Sequence, residues 1–392
     1  SAASDVYKRQ VLEQVASDMQ DNYPYGHPLY AGQMLKPPHP VARLAYALSL
    51  WVNPNNHALD GGRASSAMEK SIIPRIASMW GWDECLGHLA GGGTMANLEA
   101  LWVASRLHPG KTVVASSQAH YTHRRLTEVL GIPFEAVDVK PSGHMDTDHL
   151  ASLLEAGDIG TVVVTMGTTG LGAVDPLPEI LDLASRYDFR IHADAAYGGY
   201  FGLASLLEGR PRAAFDALGN VDSVVIDPHK HGLQPYGCGS ILFRDPSVGR
   251  FYKHGSPYTY FSSSELHLGE ISLECSRPGA AAVALWATME LLPLETGGEF
   301  ASMLDRCIEA ARLFCERIDD SDIFVPVHTP DLDIAVYAVR AANASEASKR
   351  SREIFEKAAA KDLHLALINL PIDMVRDNLP GLTADAEFMT CL

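Results

Sequence analysis

Between residues 85 and 245 the chain alternates short β-branched apolar runs with segments whose apolar positions recur at helical spacing. The strand candidates are TVVASS (112–117), FEAVDV (134–139), TVVVTMG (161–167), RIHADAA (190–196), SVVIDP (223–228) and GSILFRD (239–245). Helix candidates lie between them: NLEALWVASRL (97–107), HYTHRRLTEVLG (120–131), DTDHLASLLEAG (146–157) and LPEILDLASRYD (177–188). Asp146 and Asp148 stand where an N-cap and a first-turn acid belong, and Gly157 where a helix-ending glycine belongs. Near-continuous apolar strands separated by helices predict a parallel sheet covered on both faces. The last strand follows its predecessor after a short turn, which suits an antiparallel pairing.

Outside this region the pattern changes. Residues 11–80 are rich in Pro, His and Asn (YPYGHPLYAGQMLKPPHP, NPNNHALDGG) and read as irregular. Residues 276–317 read as helix, 323–340 as a strand pair and 344–361 as an amphipathic helix, which predicts a small α+β domain after the main sheet. The division expected is an N-terminal irregular and helical segment over 1–80, a large domain over 81–292 and a small domain over 293–392. In open α/β sheets ligands gather beyond the strand C-termini, so the loops after residues 89, 117, 167, 194 and 227 are the places to seek a site.

Composition narrows the function. A chain of 392 residues, 47% apolar and 20% charged, is an ordinary globular protein with a large core. Its formal charge of −17 offers no basic stripe for nucleic acid and disfavours an anionic membrane surface. Cysteines at 85, 238, 275, 307, 315 and 391 show no metal-ligand spacing and read as reduced thiols in a cytoplasmic protein. Neither a membrane-length apolar span nor a secretory leader is apparent. The opening SAASDVYKRQ, without an initiator Met, is set aside from the fold reading, and EFMTCL stops in what reads as a strand, as in a truncated small domain.

Four stretches carry chemistry. DPHKHGLQPYGCGSILF (227–243) places Lys230 at the end of an apolar strand, where desolvation lowers an amine's pKa and makes it a nucleophile; a surface-turn lysine is the plainer alternative. LAGGGTMANLEAL (89–101) runs three glycines and Thr94 into a helix, a cradle for phosphate or else a plain tight turn. No GK[ST] follows, so it is not a nucleotide-binding loop of that type. In HADAAYGG (192–199) Asp194 ends a strand and is either a helix cap or the partner of a buried cation. His192 and Asp194 lack a third ligand at suitable spacing, so no metal is expected. In SSQAHYTHRR (116–125) His120 opens a helix, as a ring that stacks on a flat ligand or as a polar helix-start residue.

Together these stretches resemble the pyridoxal-phosphate enzymes of the aspartate aminotransferase fold, and among them the group II amino-acid decarboxylases related to glutamate and aromatic amino-acid decarboxylases. GGGTMAN, AHYTH, MGTTGLGAVDPLPEI, HADAAYGGY and DPHKHG occur in the family's order, and the resemblance spans about residues 25–300. It implies a fold type I α/β large domain, with a mostly parallel sheet flanked by helices, plus a smaller α+β domain. It implies pyridoxal 5'-phosphate held by a Schiff base to Lys230, with Asp194 on the pyridine nitrogen as the charge that makes the ring an electron sink. Gly92, Gly93 and Thr94 would hold the phosphate, His120 and Ala196 the two ring faces, and Thr168, Asp227 and His229 further cofactor contacts. Arg277 would grip the substrate carboxylate, against the alternative of a helix-start salt bridge. Tyr258, ahead of Tyr260 in GSPYTYF, would return a proton to the substrate carbon.

The resemblance also implies a homodimer, whose interface would cover LAYALSLW (44–51). Decarboxylation of an L-amino acid to the amine and carbon dioxide leads. A carbon–carbon lyase or aminotransferase of the same fold, and a catalytically silent scaffold, are the alternatives. Asp227 stands where many relatives carry Asn or Ser, no Ser precedes the Gly-Gly-Thr turn, and HKHGLQPYG is unusual; these differences bear on substrate identity.

Overall fold

The structure is a computed structural model and describes residues 2–32, 34, 36–253 and 265–392. Its first helices are α1 (Ala2–Asp18), α2 (Pro40–Ser49) and α3 (Leu59–Ala77). The alternating region then runs β1 (Leu86–Ala90), α4 (Gly93–Leu107), β2 (Thr112–Ser116), α5 (Thr122–Leu130), β3 (Phe134–Val137), α6 (Thr147–Ala156) and β4 (Ile159–Thr165). It continues with α7 (Leu177–Ala184), β5 (Arg190–Asp194), α8 (Gly209–Asp216), β6 (Ser223–Ile226) and β7 (Gly239–Phe243). The predicted strands and helices are therefore present with trimmed ends. The Asp146 side chain caps α6 by accepting from the Asp148 N–H at 3.0 Å, and Gly157 beyond it has φ 91°.

Seven strands form one sheet in the order β1-β7-β6-β5-β4-β2-β3. The pairs β3–β2, β2–β4, β4–β5 and β5–β6 are parallel, whereas β7 runs antiparallel to both β6 and β1. All seven residues of β4 are buried, as expected of a strand covered on both faces. Because β7 is reversed against both neighbours, β1 points the same way as β6. The chain therefore leaves β1, β2, β4, β5 and β6 at one sheet edge.

After the sheet come α9 (Ala280–Leu291) and α10 (Glu299–Asp319), then the antiparallel pair β8 (Phe324–Pro326) and β9 (Tyr337–Val339). Helix α11 (Ala344–Ala359) and a second antiparallel pair, β10 (Ile368–Pro371) with β11 (Phe388–Cys391), complete the fold. Val325, Val336, Ala338, Leu370 and Met389 pack as a core of their own, joined to Leu171 and Ala173 beyond β4. Helices α2 and α3 correct the irregular reading of 11–80: both pack against α9, and α3 holds Gly61, Gly62 and Pro74 within its length, residues that read locally as breakers.

One buried ion pair fastens α3 to the sheet. Glu69 of α3 accepts from the Arg277 guanidinium at 2.6 Å and from the Leu89 N–H of β1 at 2.9 Å. Its second oxygen accepts from Asn56 at 2.6 Å. Arg277 also donates to the Leu89 carbonyl at 2.6 Å, so one cluster fixes β1, α3 and the start of α9. Removing one partner of such a pair leaves a buried uncompensated charge. Glu69→Ala is expected to lower the unfolding free energy by about 3–5 kcal/mol in urea titrations; a loss below about 1 kcal/mol, the value of a surface pair, would mean the cluster is dispensable.

Candidate active site

At the shared sheet edge, β1 passes through Gly91 and Gly92 straight into α4. Gly92 has φ 144°, a conformation open to glycine. The first helical bond of α4 is Ala96 N–H to Gly92 O at 3.1 Å, so the preceding N–H groups have no acceptor within the helix. Thr94 lies exposed beside them. The turn has no room for side chains underneath: a Cβ on Gly93 would lie 2.8 Å from an Asp227 oxygen, and one on Gly239 would lie 2.5 Å from the Gly92 carbonyl carbon. The result is a cup of backbone donors at the positive end of a helix, suited to a phosphate.

Two strands away, β6 ends at Ile226 and turns sharply, the Lys230 N–H donating to Asp227 O at 2.9 Å. This turn brings Lys230 Nζ within 3.2 Å of Asp227 Oδ2. Asp227 is 2% exposed; burial pushes its carboxyl up from the ordinary range, and Lys230 and His229 only partly oppose that. His229 holds the Cys238 carbonyl at 2.7 Å through Nδ1 and faces Asp227 with Nε2 at 3.6 Å.

On the far side of β6, β5 delivers Asp194. Its Oδ2 accepts from His123 Nε2 at 2.8 Å and from the Asn97 amide at 3.3 Å, and its Oδ1 from the Ala196 N–H at 3.1 Å. Asn97 Oδ1 in turn lies 2.8 Å from His192 Nε2, and His192 Nδ1 lies 2.9 Å from the Ser223 hydroxyl. The hydrogen-bond directions that satisfy every partner run from Ser223 through His192 and Asn97 to Asp194. Burial pushes His192 down to about 3, so its ring is neutral and both nitrogens are committed within the protein. Burial alone would raise Asp194. The His123 hydrogen bond and charge, with the Lys230 charge, outweigh it and hold the carboxyl well below the ordinary range.

The other candidates divide. His120 is half-buried at the mouth, its Nδ1 2.8 Å from the Thr122 hydroxyl; burial lowers its pKa, and Asp194 and Lys230 are both near enough to act on it. Ala196 is buried two residues after Asp194. Thr168, expected at the cofactor, is fully buried in its own turn, its hydroxyl accepting from the Ala173 N–H at 3.1 Å. Arg277, expected on a substrate carboxylate, directs Nη2 to Glu69 and Nη1 to Leu89 O, so a carboxylate within the chain already pairs with it. Tyr258 and Tyr260 lie outside the described residues. His123 and Asn97 carried no role in the sequence reading. His123 stands one helical turn beyond His120 and Asn97 three residues past Thr94, so spacing was the available signal.

The residue after the lysine is anchored as well. His231 Nε2 lies 3.1 Å from Asp333 Oδ2, beyond β8, and Lys36 Nζ lies 3.3 Å from the same oxygen. The Tyr197 hydroxyl donates to the other Asp333 oxygen. Burial would raise Asp333, but His231, Lys36 and Tyr197 together hold it well below the usual carboxylate range.

An ionised buried carboxylate, an amine and a helix-end donor cup on one sheet edge fit a phosphorylated pyridine aldehyde. The family model described as the pyridoxal-dependent decarboxylase conserved domain matches residues 40–337. A probable L-aspartate decarboxylase of Pyrococcus furiosus is 28% identical, covering 82% of this chain and 85% of its own. An L-tyrosine decarboxylase of Enterococcus faecium is 25% identical, covering 85% and 72%. Among solved structures, mouse CSAD superposes with a TM-score of 0.81 at 21% identity, covering 93% of this chain and 81% of that one. Oryza sativa TDC with PLP and tryptamine gives 0.80 at 17% identity, covering 97% and 83%. At these identities the structures establish the fold.

The His123 contact can be tested without any ligand. Asp194, held low, contributes stability that is full above the unfolded carboxyl pKa and is lost as pH falls below it. In His123→Leu burial wins instead and the Asp194 carboxyl rises. The variant should be less stable by about 2–3 kcal/mol at pH 7 in denaturant titrations, with the deficit narrowing toward pH 4. A deficit independent of pH would mean that His123 only fills space.

Proposed function

The chain belongs to the pyridoxal-dependent decarboxylases, and on that premise we propose that Lys230, Asp194 and His120 are the working groups of an L-amino-acid decarboxylase completed by a second copy of the chain. The enzyme is a pyridoxal-phosphate-dependent carboxy-lyase. When bound, the cofactor supplies an electron sink, a protonated pyridine that accepts the electron pair left behind as a carboxylate departs as carbon dioxide.

The observation that carries the residue roles is Asp194, ionised and fully supplied with donors on the strand beside the one that ends in the lysine turn. Asp194 holds the proton on the ring nitrogen by its charge. Lys230 Nζ would hold the cofactor aldehyde covalently. The α4 cup takes the phosphate through backbone N–H groups, while His120 and Ala196 close on the ring. Thr168 and Arg277 serve as frame, fixing the β4 turn and β1 respectively. Tyr258 is the proposed donor of the proton that replaces the carboxylate on the substrate carbon. The relatives' names put L-aspartate first among substrates to try, with L-glutamate and L-tyrosine beside it. Reduced thiols and negative charge support a cytoplasmic setting, and among the described residues no helix is long and apolar enough to cross a membrane.

A homodimer is supported by an apolar face that folding leaves open. Leu44, Leu48, Trp51 and Val52 are 66%, 69%, 90% and 77% exposed, and Val6, Leu12 and Val15 line α1 in the same state. Tyr121 and Tyr236, beside His120 and His229, are also exposed at the mouth. We place the division between large and small domains near residue 292, where α9 ends.

Borohydride should trap pyridoxal phosphate on Lys230, and Lys230→Ala should show neither the adduct nor carbon dioxide release from the three amino acids. Asp194→Asn should keep the adduct while turnover falls about 10²–10³-fold, the usual loss of a preorganised charge contact. A different trapped lysine, or a need for a keto-acid acceptor in place of carbon dioxide release, would overturn the assignment. In sedimentation the wild type should be a dimer, and Trp51→Glu with Leu48→Glu should shift it toward monomer and lower turnover. A fully active wild-type monomer would refute the shared site.

A further inference from the structure

Asp194 and Asp227 end neighbouring parallel strands, yet only Asp194 is fully supplied with donors. Asp227 Oδ2 meets Lys230 Nζ at 3.2 Å and His229 Nε2 at 3.6 Å, while its Oδ1 is buried and meets no hydrogen-bond partner among the described residues. Every other titratable group acting on it opposes or barely aids its charge. Asp194 from β5 repels it. Cys238 before β7 and Tyr200 beyond β5 are kept neutral by burial, and His120 before α5 is lowered by burial. The backbone of Gly93 and Gly239 closes the remaining sides. Glu274 lies farther out, accepting from the Gly91 N–H at 3.0 Å.

The tautomer of His229 follows from its partner. Its Nδ1 lies 2.7 Å from the Cys238 carbonyl, which only accepts, so the neutral ring carries its proton on Nδ1 and turns the Nε2 lone pair toward Asp227. At 3.6 Å the neutral ring gives the Asp227 carboxyl no hydrogen bond.

Cofactor loading changes the surroundings of Asp227 on two sides. The Lys230 ammonium condenses with the cofactor aldehyde: a carbon–nitrogen double bond forms, and the aldehyde oxygen leaves as water with two of the amine hydrogens. Asp227 then shares its one cation with the cofactor, while a phosphate arrives in the cup at Gly93, where a Cβ would already lie 2.8 Å from the carboxylate. Two close anions do not both stay ionised in a buried site.

We propose that Asp227 takes up one proton when pyridoxal phosphate is loaded, so that cofactor capture weakens as pH rises. The proposal rests on the cofactor assignment above. By linkage, one proton taken up steepens the dependence of affinity on pH by up to about tenfold per pH unit across the window in which Asp227 titrates. Asp227→Asn removes the carboxyl and keeps a neutral side chain of the same shape.

The test is the affinity of cofactor-stripped protein for pyridoxal phosphate, read from the visible absorbance of the lysine-bound cofactor, between pH 6 and pH 9. Wild-type affinity should fall with pH more steeply than that of Asp227→Asn, by up to about tenfold per unit. Titration calorimetry of the wild type in buffers of different protonation enthalpy should count about one proton more for pyridoxal phosphate than for pyridoxal, which lacks the phosphate. Parallel slopes in the two proteins, or equal proton counts for the two ligands, overturn the proposal and leave the cofactor assignment intact. Wild-type protein that takes up no pyridoxal phosphate at any pH overturns both.

Discussion

Asp194 is 6% exposed, and a carboxyl at that depth takes a proton unless donors reach it. His123, Asn97 and the Ala196 N–H reach it from α5, α4 and the chain just beyond β5. Keeping this one charge therefore dictates how three segments meet at the sheet edge. The demand extends further, because Asn97 is oriented by His192 and His192 by Ser223 on the adjacent strand. The parallel strands supply the last link, since the β5–β6 register places His192 beside Ser223.

Much of this was legible in the sequence wherever the signal was local. Strand and helix periods from 112 to 243 follow from alternation and caps, and Lys230 and Asp194 stood out as charges on apolar strand ends. Partnerships across the chain were not legible. Arg277 has the fork for a carboxylate, but the one it holds is 208 residues earlier, on a helix whose glycines and proline masked its period. Residues 86–90, LGHLA, hold only five positions with a glycine among them, too few to reveal β1 without its partner β7. Thr168 takes a cofactor role from the family pattern alone, and the contact of its hydroxyl with the Ala173 N–H across its own turn was not legible.

The two strand-end aspartates show how environment divides one functional group into two chemistries. Asp194 is surrounded by donors and serves as a fixed charge. Asp227 is packed against backbone and one lysine, and burial favours its neutral form. Such a separation of like groups is what lets neighbouring carboxylates act differently at the same pH.

Lys36 and Asp333, which meet beside His231, are 297 residues apart. On a ribosome adding about 5–20 residues per second, that separation is a delay of roughly 15–60 s between synthesis of the two ends. Within that delay His231 and Asp333 are 102 residues apart, so for roughly 5–20 s after the lysine turn is made the sheet can complete itself with β7 while the turn still lacks its anchor. The nascent protein thus passes through an interval with a formed sheet and an unfastened lysine, and chaperones that hold partly folded chains would meet it in that form.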